Sequence, residues 1–135
     1  MISRTGTPAL KAMAILAAQV PKDYADARVI AERIGAPPNY LAKLLGQMAK
    51  AGLVEARKGA GGGFRLARPA SELCLYEILE PVEQLVSEND CILGRDNCDG
   101  SAPCALHSRW AGIRREMIDF LKTTRLDTLA GDRSQ

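Results

Sequence analysis

The sequence predicts a mainly α-helical fold carrying one small β-hairpin. Three observations lead there. Apolar residues return every three or four positions through most of the chain. One glycine-rich stretch alternates instead, apolar with polar. No apolar run approaches the ~18 residues that a membrane-spanning helix needs. With 135 residues, the chain is one domain, or one domain plus an arm. Its 47% apolar and 25% charged residues match an ordinary globular protein and exclude a disordered chain or a collagen. Aromatic residues are only 4%, so the core must rest on Leu, Ile, Val, Ala and Met. Met1-Ile2-Ser3-Arg4-Thr5 has no apolar signal core, so a cytoplasmic location is expected. The four cysteines are then expected as thiols or metal ligands rather than disulfides.

Pro8 to Val20 reads as the first helix, with Leu10, Met13, Ala14 and Ala17 on one face. Pro21-Lys22-Asp23 ends it. A second helix runs from about Ala25 to Ile34, with Val29, Ile30 and Ile34 inward, and Gly35 stops it. Pro37 and Pro38 open a third helix, because proline is tolerated in a first turn. That helix turns Leu41, Leu44, Leu45 and Met48 inward and ends at Gly52. Two short helices joined by Gly35-Ala36-Pro37, with the small Ala31 where they cross, form a helix-turn-helix pattern.

A hairpin follows directly. Leu53-Val54-Glu55-Ala56 reads as one strand and Phe64-Arg65-Leu66-Ala67 as its return. The tip between them, residues 57–63, is basic and glycine-rich. A hairpin placed there makes residues 1–70 a winged helix-turn-helix domain. A phosphate-binding reading of the glycines fails. No Gly-Lys-Ser/Thr is present, and Phe64 stands where the third glycine of a dinucleotide loop would fall.

Residues 71–87 read as connecting helices, interrupted or kinked at Pro81. Residues 88–104 lack periodicity and form a cysteine-bearing loop, long enough to suggest a function. Residues 105–135 hold the longest helix, from Ala105 to about Thr124, and a C-terminal tail. Leu106, Trp110, Ile113, Met117, Phe120 and Leu121 step along it by four and three. A domain this small has little left to cover such a stripe, so the stripe reads as a homodimer seam.

The formal net charge of +2 hides an asymmetry. Residues 1–70 hold eleven Lys/Arg and four Asp/Glu, whereas residues 71–135 hold seven and twelve. A basic half built as a winged helix points to double-stranded DNA as a partner. Pro38, Asn39, Tyr40 and Lys43 are expected outward on the third helix, which fits the major groove. Asn39 can read adenine or bond a phosphate, Tyr40 can bond a phosphate, and Lys43 can do either. Arg57, Lys58 and Arg65 of the wing can pin phosphates or enter the minor groove. Ser3, Arg4 and Lys11 can add backbone contacts. Two copies related by a twofold axis would read a pseudo-palindrome.

Cys91, Cys98 and Cys104 are spaced Cys-x6-Cys-x5-Cys, and His107, the only histidine, follows after two residues. Three thiolates and one imidazole make a four-ligand set for a soft metal. Cys104 and His107, three apart at the start of a helix, are expected to face the same way. Structural zinc usually takes a tighter Cys-x2–4-Cys knuckle. The wider gaps suit an iron–sulfur cluster. Cys74, between Leu73 and Leu75, reads as a buried apolar side chain. No nucleophile–base pair, paired carboxylates or cofactor loop suggests an enzyme.

The stretches Pro38 to Leu45 (PNYLAKLL) and Ala51 to Pro69 (AGLVEARKGAGGGFRLARP) resemble the recognition helix and wing of the bacterial Rrf-two repressor family, in its IscR-like branch. The three-cysteine loop and the last helix are similar too, so the resemblance covers nearly the whole chain. It implies a dimeric transcription factor whose iron–sulfur cluster controls operator choice or affinity. By motif, Cys91, Cys98 and Cys104 are then cluster ligands, and His107 matches the histidine ligand of a [2Fe–2S] site. The first cysteine gap is wider than in the IscR type, and a [4Fe–4S] cluster stays open. The expected signal is iron, redox or nitric oxide status. The alternatives are a zinc-bound or metal-free thiol-sensing regulator, and a small iron–sulfur carrier that does not bind DNA.

Overall fold

A computed structural model describes residues 5–19, 23–82, 93 and 105–130. The fold is mainly helical with a two-stranded antiparallel hairpin. Helix α1 (Gly6–Ala18) starts and stops two residues earlier than its periodicity suggests. It is buried almost all round: Ala9, Ala12, Met13, Ala14, Ile15 and Leu16 all lie in the interior. Small alanines let other helices approach it on several sides.

Helix α2 (Ala27–Ile34) begins at Asp26, which is extended and whose Oδ1 accepts the Arg28 N–H at 2.8 Å. That N–H bond, with the Arg28 guanidinium beside it, holds the Asp26 carboxyl below the usual carboxylate range. The cap is therefore present at neutral pH and is lost as acid brings the pH down through that lowered value. Gly35 closes the helix in the left-handed region (φ 72°), and the next N–H, of Ala36, bonds the Ala31 carbonyl at 2.9 Å. The inward face of α2 is Ala27, Ile30 and Ala31. Val29 departs from expectation and stands 54% exposed. In so short a helix, one step of about 100° separates it from Ile30, which takes the buried place.

Helix α3 (Pro38–Lys50) has proline in its first turn and buries Leu41, Leu44, Leu45 and Met48, as its spacing predicts. The hairpin β1 (Val54–Arg57) and β2 (Gly63–Leu66) pairs Val54 with Leu66 and Arg57 with Gly63. Ala25 adds a further bridge, exchanging two backbone hydrogen bonds of 2.8 Å with Phe64. The wing is thereby tied to the start of α2.

After a 3-10 turn (Ala70–Glu72) comes a short helix, α4 (Leu75–Leu79). Helix α4 stops at Leu79, just before Pro81, where the sequence predicts an interruption or kink because proline has no N–H to continue the ladder; residues 83–87 lie outside the described residues. Helix α5 (His107–Thr123) is about 25 Å long. A last turn, α6 (Asp127–Ala130), has no counterpart in the predicted tail. The chain between them folds back on the segment before α4. Leu75 N–H bonds Thr124 O at 3.0 Å, and Leu126 N–H bonds Leu73 O at 2.8 Å. Leu126 is fully buried. One core thus joins α1, α2, α3, β1 and α4 with Leu121 and Leu126 of the C-terminal part. Among the described residues no helix is long and apolar enough to cross a membrane.

Candidate nucleic-acid interface and metal-ligand set

With one face of α3 packed against α1 and α2, the other is free. Pro38, Asn39, Tyr40 and Lys43 are all exposed, Tyr40 at 37%. Lys43 lies four positions after Asn39 and three after Tyr40, within the first two turns, so it shares a face with both. A helix N-terminus carries partial positive charge, which suits phosphate oxygens. Lys11 is exposed on α1. Ser3 and Arg4 lie outside the described residues.

In the wing, Arg57 and Lys58 are exposed and Arg65 is half-buried. Arg65 is already engaged: its Nε donates to Glu55 Oε2 at 2.8 Å, directly across the hairpin. Tyr24, which no sequence signal marked, lies under both arginines. The Arg65 and Arg57 guanidinium carbons are 4.5 and 5.7 Å from its ring centroid. The glycine run has a sharper role than turn formation. A Cβ on Gly63 (φ 137°) would fall 2.2 Å from the Ala25 carbonyl oxygen, and one on Gly62 would fall 2.2 Å from the Arg57 carbonyl oxygen. Two backbones approach there at distances only glycine permits. Gly63→Ala is expected to lower stability by about 1–3 kcal/mol, read from urea unfolding. A variant as stable as wild type would mean the wing does not close on Ala25.

On α5 the predicted stripe divides. Leu106, Ile113 and Phe120 are 45, 59 and 57% exposed and recur every seven residues. Trp110 and Met117 between them are half-buried, and Met117 packs against the core. Leu121 is a correction: it is 2% exposed and belongs to the chain's own core, beside the buried Ile118. Adjacent helix positions point about 100° apart, so Phe120 and Leu121 serve different surfaces.

His107 is the first residue of α5 and is half-buried. Cys91, Cys98 and Cys104 lie outside the described residues. The helix begins at His107, after a turn at Ala105 and Leu106, two residues later than its periodicity suggests, and the expected alignment of Cys104 with His107 lies outside the described residues. Among the described residues no group of three or more His, Cys, Asp or Glu could hold a metal. By donor chemistry, three thiolates and an imidazole at a helix start fit an iron–sulfur cluster or zinc. Cys74 stands apart from that set. It is buried, and its thiol donates to Glu77 Oε1 at 3.4 Å. Partial burial pushes the Glu77 carboxyl up, but hydrogen bonds from Arg68 and Cys74 and the Arg68 charge outweigh it, so it sits below its ordinary range.

Residues 2–132 match the model of the Rrf2 family, described as an iron-dependent transcriptional regulator. The chain is 32% identical over 129 residues to the HTH-type transcriptional regulator IscR of Vibrio campbellii, covering 96% of this chain and 74% of that one. It is 30% identical over 128 residues to an HTH-type transcriptional regulator of Neisseria meningitidis, covering 95 and 86%. Among solved structures, CymR, the global cysteine regulator of Bacillus subtilis, superposes with a TM-score of 0.81 at 25% identity, covering 96% of this chain and 95% of that one.

Proposed function

Because the chain belongs to the Rrf2 family of transcriptional regulators, we propose that it binds operator DNA as a homodimer and that an iron–sulfur cluster on Cys91, Cys98, Cys104 and His107 sets its affinity. One observation carries the coupling. Helix α5 starts at the candidate ligand His107 and ends in the common core through Leu121, with Leu126 just beyond it in the same core. A change at His107 therefore acts at one end of a continuous helix whose other end packs on α4 and, through Leu121, enters the core that α1 and α3 share.

The chain's own residues divide the work. Asn39, Tyr40 and Lys43 on α3 supply groove and phosphate contacts, and Arg57 and Lys58 supply the wing's. Leu106, Ile113 and Phe120 bury against a second copy and fix the separation of two reading heads. Cys91, Cys98, Cys104 and His107 would hold the cluster, which when bound supplies a site sensitive to oxidant, nitric oxide or iron shortage. Binding there alters DNA affinity only as far as the two dimer arrangements differ in their affinity for the cluster. A [2Fe–2S] cluster is the favoured form, because His107 matches the histidine ligand of the IscR-type site by motif.

DNA binding is tested by enriching duplexes from a random-sequence library with the purified protein. A specific pseudo-palindrome is expected, and failure to enrich any duplex would overturn the reading. On the enriched duplex, Lys43→Ala is expected to weaken binding about fivefold and to lower the salt slope by about one. Unchanged affinity and slope would remove Lys43 from the interface.

A second reading has its own support in the likeness to CymR, a cysteine regulator. The same reading head would then respond to thiol chemistry without iron. A colourless protein with stoichiometric zinc, or with no metal, after preparation without oxygen would favour it.

A further inference from the structure

Tyr24 has no place in the scheme above, yet the wing is built around its ring. It precedes Ala25, whose two bonds to Phe64 make a single antiparallel bridge beside β2. Antiparallel pairing then sets Tyr24 alongside Arg65, which in turn faces Glu55. Arg57 faces Gly63 in the same hairpin. Gly63 contributes no side chain between them, and the Arg57 guanidinium lies 5.7 Å from the ring centroid.

The two guanidiniums differ in what remains to them. Arg65 lies closer to the ring, at 4.5 Å, and its charge is met by Glu55 at 2.8 Å. Arg57 has no carboxylate partner among the described residues and is exposed. A long arginine at a loop edge ordinarily samples many rotamers, and ordering it on DNA costs conformational entropy. A ring that attracts the guanidinium beforehand reduces that cost. Tyr24 itself is half-buried and lies outside the core cluster, so the ring is not there to fill the interior.

We propose that Tyr24 is a positioning residue for DNA binding: its ring, braced by the Arg65–Glu55 pair, holds Arg57 extended at the wing edge before the duplex arrives. The proposal rests on the chain being a DNA-binding regulator. It deepens that reading by giving the wing arginines separate roles, Arg65 as brace and Arg57 as contact.

The test uses the full chain and the duplex that the wild-type protein enriches from a random library, with affinity read by fluorescence anisotropy. Tyr24→Phe keeps the ring and is expected to bind within about twofold of wild type. Tyr24→Leu is expected to bind about fivefold more weakly. In an Arg57→Ala background, Tyr24→Leu is expected to add less than about twofold, since the group it positions is gone. Wild-type affinity for Tyr24→Leu, a Phe variant as weak as the Leu variant, or additive losses would each overturn the proposal. Should Tyr24→Leu fail to fold by circular dichroism, Arg57→Lys decides. It keeps the charge but loses the guanidinium that the ring attracts, so a loss of about threefold supports the proposal and no loss overturns it. Failure of the wild-type protein to enrich any duplex would overturn both this proposal and the function beneath it. An enriched duplex that Tyr24→Leu binds normally would overturn the proposal alone.

Discussion

Replacing Cys98 with alanine is expected to abolish the visible absorption of protein prepared without oxygen. Three thiolates and an imidazole fill the four terminal positions of a cluster, and Cys98 is the middle thiolate of the set. With it gone, the remaining ligands cannot hold two irons at full coordination, so the loss should be complete rather than partial. His107→Ala should act differently. Imidazole is the replaceable ligand, and the expected result is a cluster of altered spectrum that decays faster in air. A retained spectrum in the Cys98 variant would mean that the ligand set is wrong. Identical spectra and lifetimes in the His107 variant would point to another fourth ligand. Because Cys74 is buried against Glu77 and is not among the proposed ligands, a Cys74→Ser control is expected to keep its colour.

The second large effect concerns assembly. Ile113→Glu with Phe120→Glu is expected to convert a dimer to a monomer and to weaken operator binding on the order of a hundredfold. Both side chains are more than half exposed and lie seven residues apart, on the face of α5 that the core does not use. A charge there costs little in an isolated chain but is forbidding in a closed apolar seam. Sedimentation and anisotropy on the same samples read the two consequences. Leu121→Glu is the contrasting variant: it strikes the chain's own core and should unfold the protein rather than dissociate it. A double variant that remains dimeric would place the interface elsewhere.

How much of this was legible in the sequence depends on the kind of signal. Helix α3 could be read because Leu41, Leu44, Leu45 and Met48 repeat over two turns between a proline start and a glycine stop. The hairpin could be read from alternation and glycines. The reason for the glycines could not, since the approach of the Ala25 carbonyl to Gly63 joins segments far apart in sequence. Leu121 was read with the seam because steps of three and four describe two adjacent columns of a helix equally well. Which column faces the core depends on Leu73, Leu79 and Leu126 packing there. Helix α6 is four residues long, too short for any period. Tyr24 sits in an extended link with no pattern, and its importance appears only when Ala25 pairs with the wing. The ligand set rests on residue type and spacing, with His107 alone placed by the structure at the start of α5.

The most direct measurement takes one preparation, made without oxygen and visibly coloured, and titrates the enriched duplex before and after nitric oxide bleaches the colour. A regulator controlled by its cluster should change affinity at least tenfold between the two forms, with the dimer intact in both. Equal affinity for coloured and bleached protein, or a protein that binds the duplex specifically yet never carries iron, would contradict the account.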